Sequence, residues 1–249
     1  MENGMEKMSK KIPEMSEIKK RFIKMLLEKG ALRISKGKED SFTLKSGRKS
    51  PYFVNMGYLT DGEALRAVKE AYSGTAARMV KDGKLEQFGF IFGPAYKGIP
   101  LGALMCEGLS ELYGMNTKFL YDRKEEKAHG DKATDKSIVG ANHFTKGGRI
   151  LIVDDVITTG GTKLEVFKKL EELGEHEVVG VLVAIDRQER MGDSENVEEK
   201  SASQSIEENY GVKVYSIGTM QDIYEHFEKE MKPEVKEAWL GYKKQYGAR

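Results

Sequence analysis

Cysteine is almost missing from this chain: Cys106 stands alone among 249 residues, so no internal disulfide can form. Its surroundings, L-G-A-L-M-C-E-G-L, are apolar and favour a buried core thiol over a nucleophile. That usage fits a reducing compartment. Net charge is nearly absent too, with 41 basic residues against 40 acidic ones. A balance of +1 gives no global reason to expect nucleic acid or an anionic membrane as partner. No run approaches the ~20 apolar residues of a membrane span. Residues 1–14 carry both signs of charge and lack the apolar stretch of a secretory signal. The expectation is a soluble cytoplasmic protein. Neither G-x-x-x-x-G-K-[ST] nor G-x-G-x-x-G occurs, which removes support for a plain nucleotide-binding module. The four histidines (129, 143, 176 and 226) are scattered, and no cluster has the spacing of a metal cage.

What is present is organised around residues 149–162, R-I-L-I-V-D-D-V-I-T-T-G-G-T. The apolar, β-branched run 150–153 predicts a buried parallel strand, with Asp154 and Asp155 where it ends. Small residues, Thr158 to Thr162, follow, and a helical pattern starts at Lys163. Such a loop offers free backbone N–H groups and a helix N-terminus, which together cradle phosphate. Paired acids beside a phosphate cradle suit a ligand with a diol and a phosphate, such as ribose 5-phosphate. Alone, D-D could simply end a strand and G-G simply start a helix.

At 249 residues the chain is long enough for one large domain, or one with a small appendage. Residues 16–29 predict an amphipathic helix, with Ser16 as N-cap and Gly30 as terminator. Residues 42–55 read as two short strands around a glycine-bearing turn. Asp61 is placed to cap a helix running to Asp82, with Gly83 after it. Ala64, Leu65, Val68, Tyr72, Ala76 and Met79 would share one face of it. Strand patterns at 88–92, 117–121, 178–185 and 212–217 then join the central strand. Helical ones lie at 99–113 and 219–229, and Pro233 opens a last one. This alternation predicts an α/β fold: a mostly parallel central sheet flanked by helices, with ligands at the strand C-termini. Residues 1–60 do not fit the alternation and are expected to form a separate cap over a core of residues 61–249. The connection 122–148 is too long to be passive and is expected to be a mobile, functional loop. Residues 187–209, rich in Glu and Ser, read as a solvated excursion.

Three more stretches could carry chemistry. G-P-A-Y-K-G, residues 93–98, faces the same sheet edge as Asp154, and its glycines permit unusual backbone angles while Lys97 can meet an anion. An ordinary βα turn with an exposed lysine explains it equally well. Arg123, Lys124, Lys127 and His129 place four potential cations in seven residues. Such a run is usually a solvated surface, but cations that close over a departing diphosphate would stabilise its charge and exclude water. In 42–54, Lys45 could reach a phosphate and Phe53 could lie flat against a planar base; hairpin residues with core aromatics fit as well.

Taken together, F-T-L-K-S-G-R-K-S-P-Y-F, F-G-P-A-Y-K-G-I-P-L, R-K-E-E-K-A-H-G, V-D-D-V-I-T and D-R-Q-E-R occur in this order. The set resembles the orotate phosphoribosyltransferases, over residues 22–227. The central string is shared by the whole type I phosphoribosyltransferase superfamily, whereas the first and third belong to the orotate branch. The resemblance implies a type I phosphoribosyltransferase fold with a small N-terminal hood. It also implies transfer of ribose 5-phosphate from phosphoribosyl diphosphate (PRPP) to orotate in pyrimidine biosynthesis, giving orotidine 5′-phosphate and diphosphate with Mg²⁺ as cofactor. On it, Lys45, Tyr96 and Lys97 contact PRPP, Asp154 and Asp155 hold the ribose hydroxyls, and Val156, Ile157, Thr158, Thr159, Gly160, Gly161 and Thr162 hold the 5-phosphate. Arg123, Lys124, Lys127 and His129 close over the diphosphate of the neighbouring subunit's site, which implies a homodimer. Phe53, Val54, Thr158 and Arg187 hold orotate, Arg187 pairing with its carboxylate. Mg²⁺ is expected on diphosphate oxygens, ribose hydroxyls and water, with no direct protein ligand. The chain departs from the family in a longer stretch after Gly130 and in the doublet Gly160–Gly161.

Two other readings share these residues. A transferase for a purine or uracil is disfavoured by Arg187 and by K-S-G-R-K-S-P-Y-F. A non-catalytic PRPP sensor is disfavoured by the intact set of loop cations.

Overall fold

The computed structural model describes residues 11–123, 137–157 and 161–248. In chain order the elements are α1 (Met15–Glu28), β1 (Leu32–Ile34), β2 (Phe42–Thr43), β3 (Lys49–Ser50), β4 (Tyr52–Val54) and α2 (Gly62–Lys81). Then come β5 (Phe90–Gly93), α3 (Gly98–Tyr113), β6 (Lys118–Asp122), β7 (Ile138–Val139), β8 (Gly148–Ile157), α4 (Gly161–Leu170) and β9 (His176–Asp186). The chain ends with β10 (Arg190–Gly192), β11 (Val197–Ser201), α5 (Ala202–Tyr210), β12 (Val214–Thr219), α6 (Met220–Phe227) and α7 (Pro233–Tyr246).

Six strands form the central sheet in the order β12-β9-β8-β5-β6-β7. All neighbours are parallel except β7, which runs antiparallel to β6 at the edge. Side chains alternate across a strand, so consecutive apolar residues feed opposite faces. Ile91, Leu151, Val153, Leu182 and Ala184 join one core with α1, α2, α3, α6 and α7. Phe90, Phe92, Ile150, Ile152, Val181 and Val183 join a second core with α4 and α5. The helix after β5 therefore covers one face and the helix after β8 the other. From β5 the chain moves one way to β6, and from β8 it moves the other way to β9 and β12. The crevice between the carboxyl ends of β5 and β8 is the switch point where such sheets bind ligands.

Local chemistry explains most boundaries. Asp61 accepts from the Ala64 amide at 2.9 Å and starts α2, and Gly83, at φ +68°, stops it. Five of the six residues assigned to the inner face of α2 are buried, whereas Leu65 is exposed. Ser16 is not the cap of α1: the helix starts at Met15 after an extended Glu14 that makes no side-chain cap bond. The central strand is longer than its apolar run. Asp154 and Asp155 lie inside β8, where Asp154 pairs with Val183 and Ile157 with Asp186 of β9. The two carboxylates interrupt the apolar run, but the backbone ladder continues and Val156 beyond them still packs against the core. Residues 187–209 are no solvated excursion either, since β10 and β11 form an antiparallel hairpin and Ser201 opens α5 with a capping box to Gln204.

The N-terminal region divides in two. Phe22, Ile23 and Leu26 of α1 are buried in the same core as Ile217, Met220 and Ile223, so α1 belongs to the body of the protein. The strand pairs β1–β4 and β2–β3 stand apart from the central sheet. They are tied to the β10–β11 hairpin by Arg48, which donates to the carbonyls of Arg190, Met191 and Asp193 at 2.8, 3.0 and 3.1 Å. Helix α7 closes the other side, with Trp239 stacked on Tyr52 at 4.8 Å between ring centroids.

Candidate active site

A cleft of about 690 Å³ opens at the switch point. Lys45, Phe53, Val54, Lys97, Val156 and Arg187 all line it, drawn from the strand pairs, the loop after β5, β8 and the end of β9. Arg48 and Arg190 add two more cations to the lining, against the acids Glu189 and Asp193. The cationic excess suits an anionic ligand. Size alone would mislead, since a cleft of about 1250 Å³ lies between residues 36–51 and α7. Its lining mixes Lys and Glu and takes nothing from the loops after β5 or β8.

The loop after β5 is set by two close approaches. A Cβ on Gly93 would lie 2.3 Å from the Gly98 carbonyl oxygen, and one on Gly98 would lie 2.7 Å from that of Val153. Neither glycine has a positive φ, so both are needed for space and not for unusual angles. From β6, Asp122 accepts a hydrogen bond from the Ala95 amide and fixes the loop from the other side. Replacing Gly93 by alanine is expected to destabilise the protein by about 1–3 kcal/mol, because backbone must move to admit the methyl group. A urea unfolding curve measures this, and an unchanged midpoint would show that the loop yields freely.

At the tip of that loop Tyr96 is 68% exposed. Beside it the Lys97 ammonium meets Asp155 Oδ2 at 2.7 Å. The Asp155 side chain is mostly buried, whereas that of Lys97 is half exposed. A buried hydroxyl supports this edge from below: Tyr72 donates to the Asp154 carbonyl at 2.8 Å. Asp154 Oδ1 in turn accepts from the Asp155 amide at 2.8 Å. The apolar stripe of α2 announces a buried Tyr72, but its hydroxyl bond spans 82 residues and no local pattern signals it. Asp122 escaped the sequence reading for the same reason.

Arg187, buried to 5% exposure, forms the floor. Its Nε and Nη2 contact Glu189 Oε1 at 2.9 and 2.7 Å, and its guanidinium lies 4.4 Å from the centre of the Tyr52 ring. Phe53 stands in the wall with the Arg33 guanidinium 5.1 Å from its ring centre. Arg123 follows the end of β6, where its amide donates to the Ser137 carbonyl at 2.7 Å. Lys124, Lys127, His129, Thr158, Thr159 and Gly160 lie outside the described residues. Of Ile157, Gly161 and Thr162 only the backbone is described, as the end of β8 and the start of α4.

Residues 63–217 match the family described as Phosphoribosyl transferase domain. An orotate phosphoribosyltransferase of Bifidobacterium adolescentis is 37% identical over 237 residues, covering 92% of this chain and 97% of that protein. The chain belongs to the orotate phosphoribosyltransferase family. Its kinship extends to yeasts: the Kluyveromyces lactis orotate phosphoribosyltransferase is 38% identical over 94% of this chain and 97% of its own length. The crystal structure of the Francisella tularensis orotate phosphoribosyltransferase superposes with a TM-score of 0.75 at 30% identity, over 91% of this chain and 99% of that one. The mixed α/β architecture is thus that of a type I phosphoribosyltransferase. Among the described residues no helix is long and apolar enough to cross a membrane.

Proposed function

We propose that the cleft transfers ribose 5-phosphate from PRPP to orotate, as the family's name describes, in the cytoplasm and in de novo pyrimidine synthesis. The observation that carries this reading is Arg187 on the floor of a cationic cleft whose rim holds Lys97 and Asp155. Orotate is an anion, so it needs no strong general base, and a guanidinium matches its carboxylate. Phe53 and Val54 flank the base, and Thr158 completes its contacts. Lys45, Tyr96 and Lys97 receive the PRPP phosphates, while Val156 and residues 157–162 take the 5-phosphate through backbone amides and the N-terminus of α4.

Bond breaking at ribose C1 leaves positive charge on the sugar and negative charge on the departing diphosphate. Asp154 and Asp155 face the first and also accept from the ribose hydroxyls. Lys97, with Arg123, Lys124, Lys127 and His129, faces the second. In the Lys97–Asp155 pair each charge neutralises the other. Among the described residues no group of three His, Cys, Asp or Glu converges on a metal. Asp154 and Asp155 are the acids at this edge that would help to hold a partly hydrated Mg²⁺ arriving with the substrate. When bound, the ion supplies neutralisation of the leaving group's charge. In this reading the strand pairs of residues 32–54 act as the hood, and the cations at 123–129 complete the site of the other subunit in a homodimer; the connection 122–148 is not loop throughout, since Ile138–Val139 form the edge strand β7 of the central sheet.

The test follows the loss of orotate absorbance with PRPP and Mg²⁺. Turnover is expected with orotate and not with adenine, hypoxanthine or uracil. PRPP binding without consumption of any base would replace the enzyme by a sensor.

A further inference from the structure

Glu189 belongs to D-R-Q-E-R, but none of the roles given above uses it. Its Oε1 atom accepts from Arg187 Nε and Nη2, from the Tyr242 hydroxyl at 2.9 Å and from the Tyr52 hydroxyl at 3.3 Å. Its Oε2 atom lies 3.5 Å from Arg48 Nη1. The donors come from β4, from the segment before β3, from the end of β9 and from α7, so one carboxylate gathers four parts of the chain. All three residues of the Arg48–Glu189–Arg187 array are close to fully enclosed, their side chains exposed by 3, 11 and 6%.

Two consequences follow. Two guanidinium groups share one carboxylate, so the array holds a net positive charge out of water, which a ligand anion would balance. The edge of Arg187 made of Nε and Nη2 is also committed to Glu189. Nη2 reaches Ser50 Oγ at 3.2 Å and the Tyr242 hydroxyl at 3.4 Å as well. Among the described residues Nη1 has no hydrogen-bond partner, and Arg187 lines the cleft. Arg48 cannot serve the ligand in the same way, because all three of its nitrogens already donate to carbonyls. Burial pushes the Tyr52 hydroxyl well above its ordinary range and that of Tyr242 up to about 12, so both stay protonated as donors.

We infer that Glu189 is a positioning residue for base recognition: it fixes the Arg187 guanidinium so that its Nη1 edge faces the cleft, and Tyr242 makes helix α7 part of that device. The inference rests on the reading that Arg187 receives the orotate carboxylate. A role in recognition separates the two substrates, since most of the residues assigned to PRPP lie on the loop after β5, at the end of β8 and at the start of α4, away from Glu189. A purely structural role would not.

The test compares steady-state kinetics of wild type, Glu189→Asp and Tyr242→Phe. Aspartate keeps the charge but withdraws it by one methylene, so geometry alone is changed. For Glu189→Asp the KM for orotate is expected to rise about tenfold or more, with the KM for PRPP unchanged within about twofold. Tyr242→Phe keeps the ring packing and is expected to raise the orotate KM by about threefold, through loss of its hydrogen bond to Glu189 and of the longer one it accepts from Arg187. It also serves if Glu189→Asp does not fold. An orotate KM equal to wild type in folded variants overturns the inference, as does a parallel rise in both KM values. A wild type that consumes no orotate overturns instead the reading on which the inference rests.

Discussion

Exchange of Arg187 for lysine is expected to lower kcat/KM for orotate by about 10²-fold or more while PRPP binding stays within about twofold. Lysine keeps the positive charge that Glu189 and the ligand require but loses the fork. A single ammonium cannot reproduce the planar Nε and Nη2 contacts to Glu189 while also presenting a fixed donor to the cleft. Alanine would be a poorer test, because it also removes one of the two buried guanidinium partners of Glu189 and so mixes a loss of stability with the loss of recognition. The measurement is initial rate against orotate at saturating PRPP, with PRPP affinity by calorimetry. A loss confined to PRPP affinity would place Arg187 on the wrong substrate.

The second large effect is expected at the other end of the cleft. Asp155→Asn should lower kcat by about 10²- to 10³-fold, because it removes a full negative charge from beside the sugar when positive charge develops there. The two side chains have nearly the same shape, so the exchange preserves packing around a mostly buried group. It also releases Lys97 from its 2.7 Å partner, and the KM for PRPP is expected to change far less than kcat. Single-turnover consumption of orotate reads the chemical step directly. A rate within about fivefold of wild type would mean that Asp155 only parks Lys97 and gives no help to the transition state.

The parts of this fold that could be read locally were legible. Helix α2 carries its start and stop in Asp61 and Gly83, and β5, β8 and β9 carry unbroken apolar runs that only a sheet covered on both faces can bury. The elements that escaped are those whose reasons lie far away in sequence. The β10–β11 hairpin is short and acidic and owes its place to Arg48, more than 140 residues distant. Even there one signal was present: Ser201 and Gln204 have the spacing of a capping box. Asp154 and Asp155 misled in the opposite direction, because carboxylates end a hydrophobic run without ending a strand's hydrogen bonds. For the site, residue types singled out Lys45, Phe53 and Lys97, the family resemblance added Val54, Val156 and Arg187, and folding brings these six to one cleft. Two of the groups that support them, Tyr72 under Asp154 and Asp122 behind the Ala95 amide, are tertiary and have no local signature, whereas Glu189 stands two residues from Arg187 within D-R-Q-E-R and only its bonds to Tyr52, Tyr242 and Arg48 are long-range.

The central claim is that both substrates meet between the carboxyl ends of β5 and β8. A crystal structure with orotidine 5′-phosphate bound tests it most directly. The base carboxylate is expected on Arg187, the ribose hydroxyls beside Asp154 and Asp155, and the 5′-phosphate at the start of α4. A nucleotide seated instead in the larger cleft between residues 36–51 and α7, or a base turned away from Arg187, would contradict it.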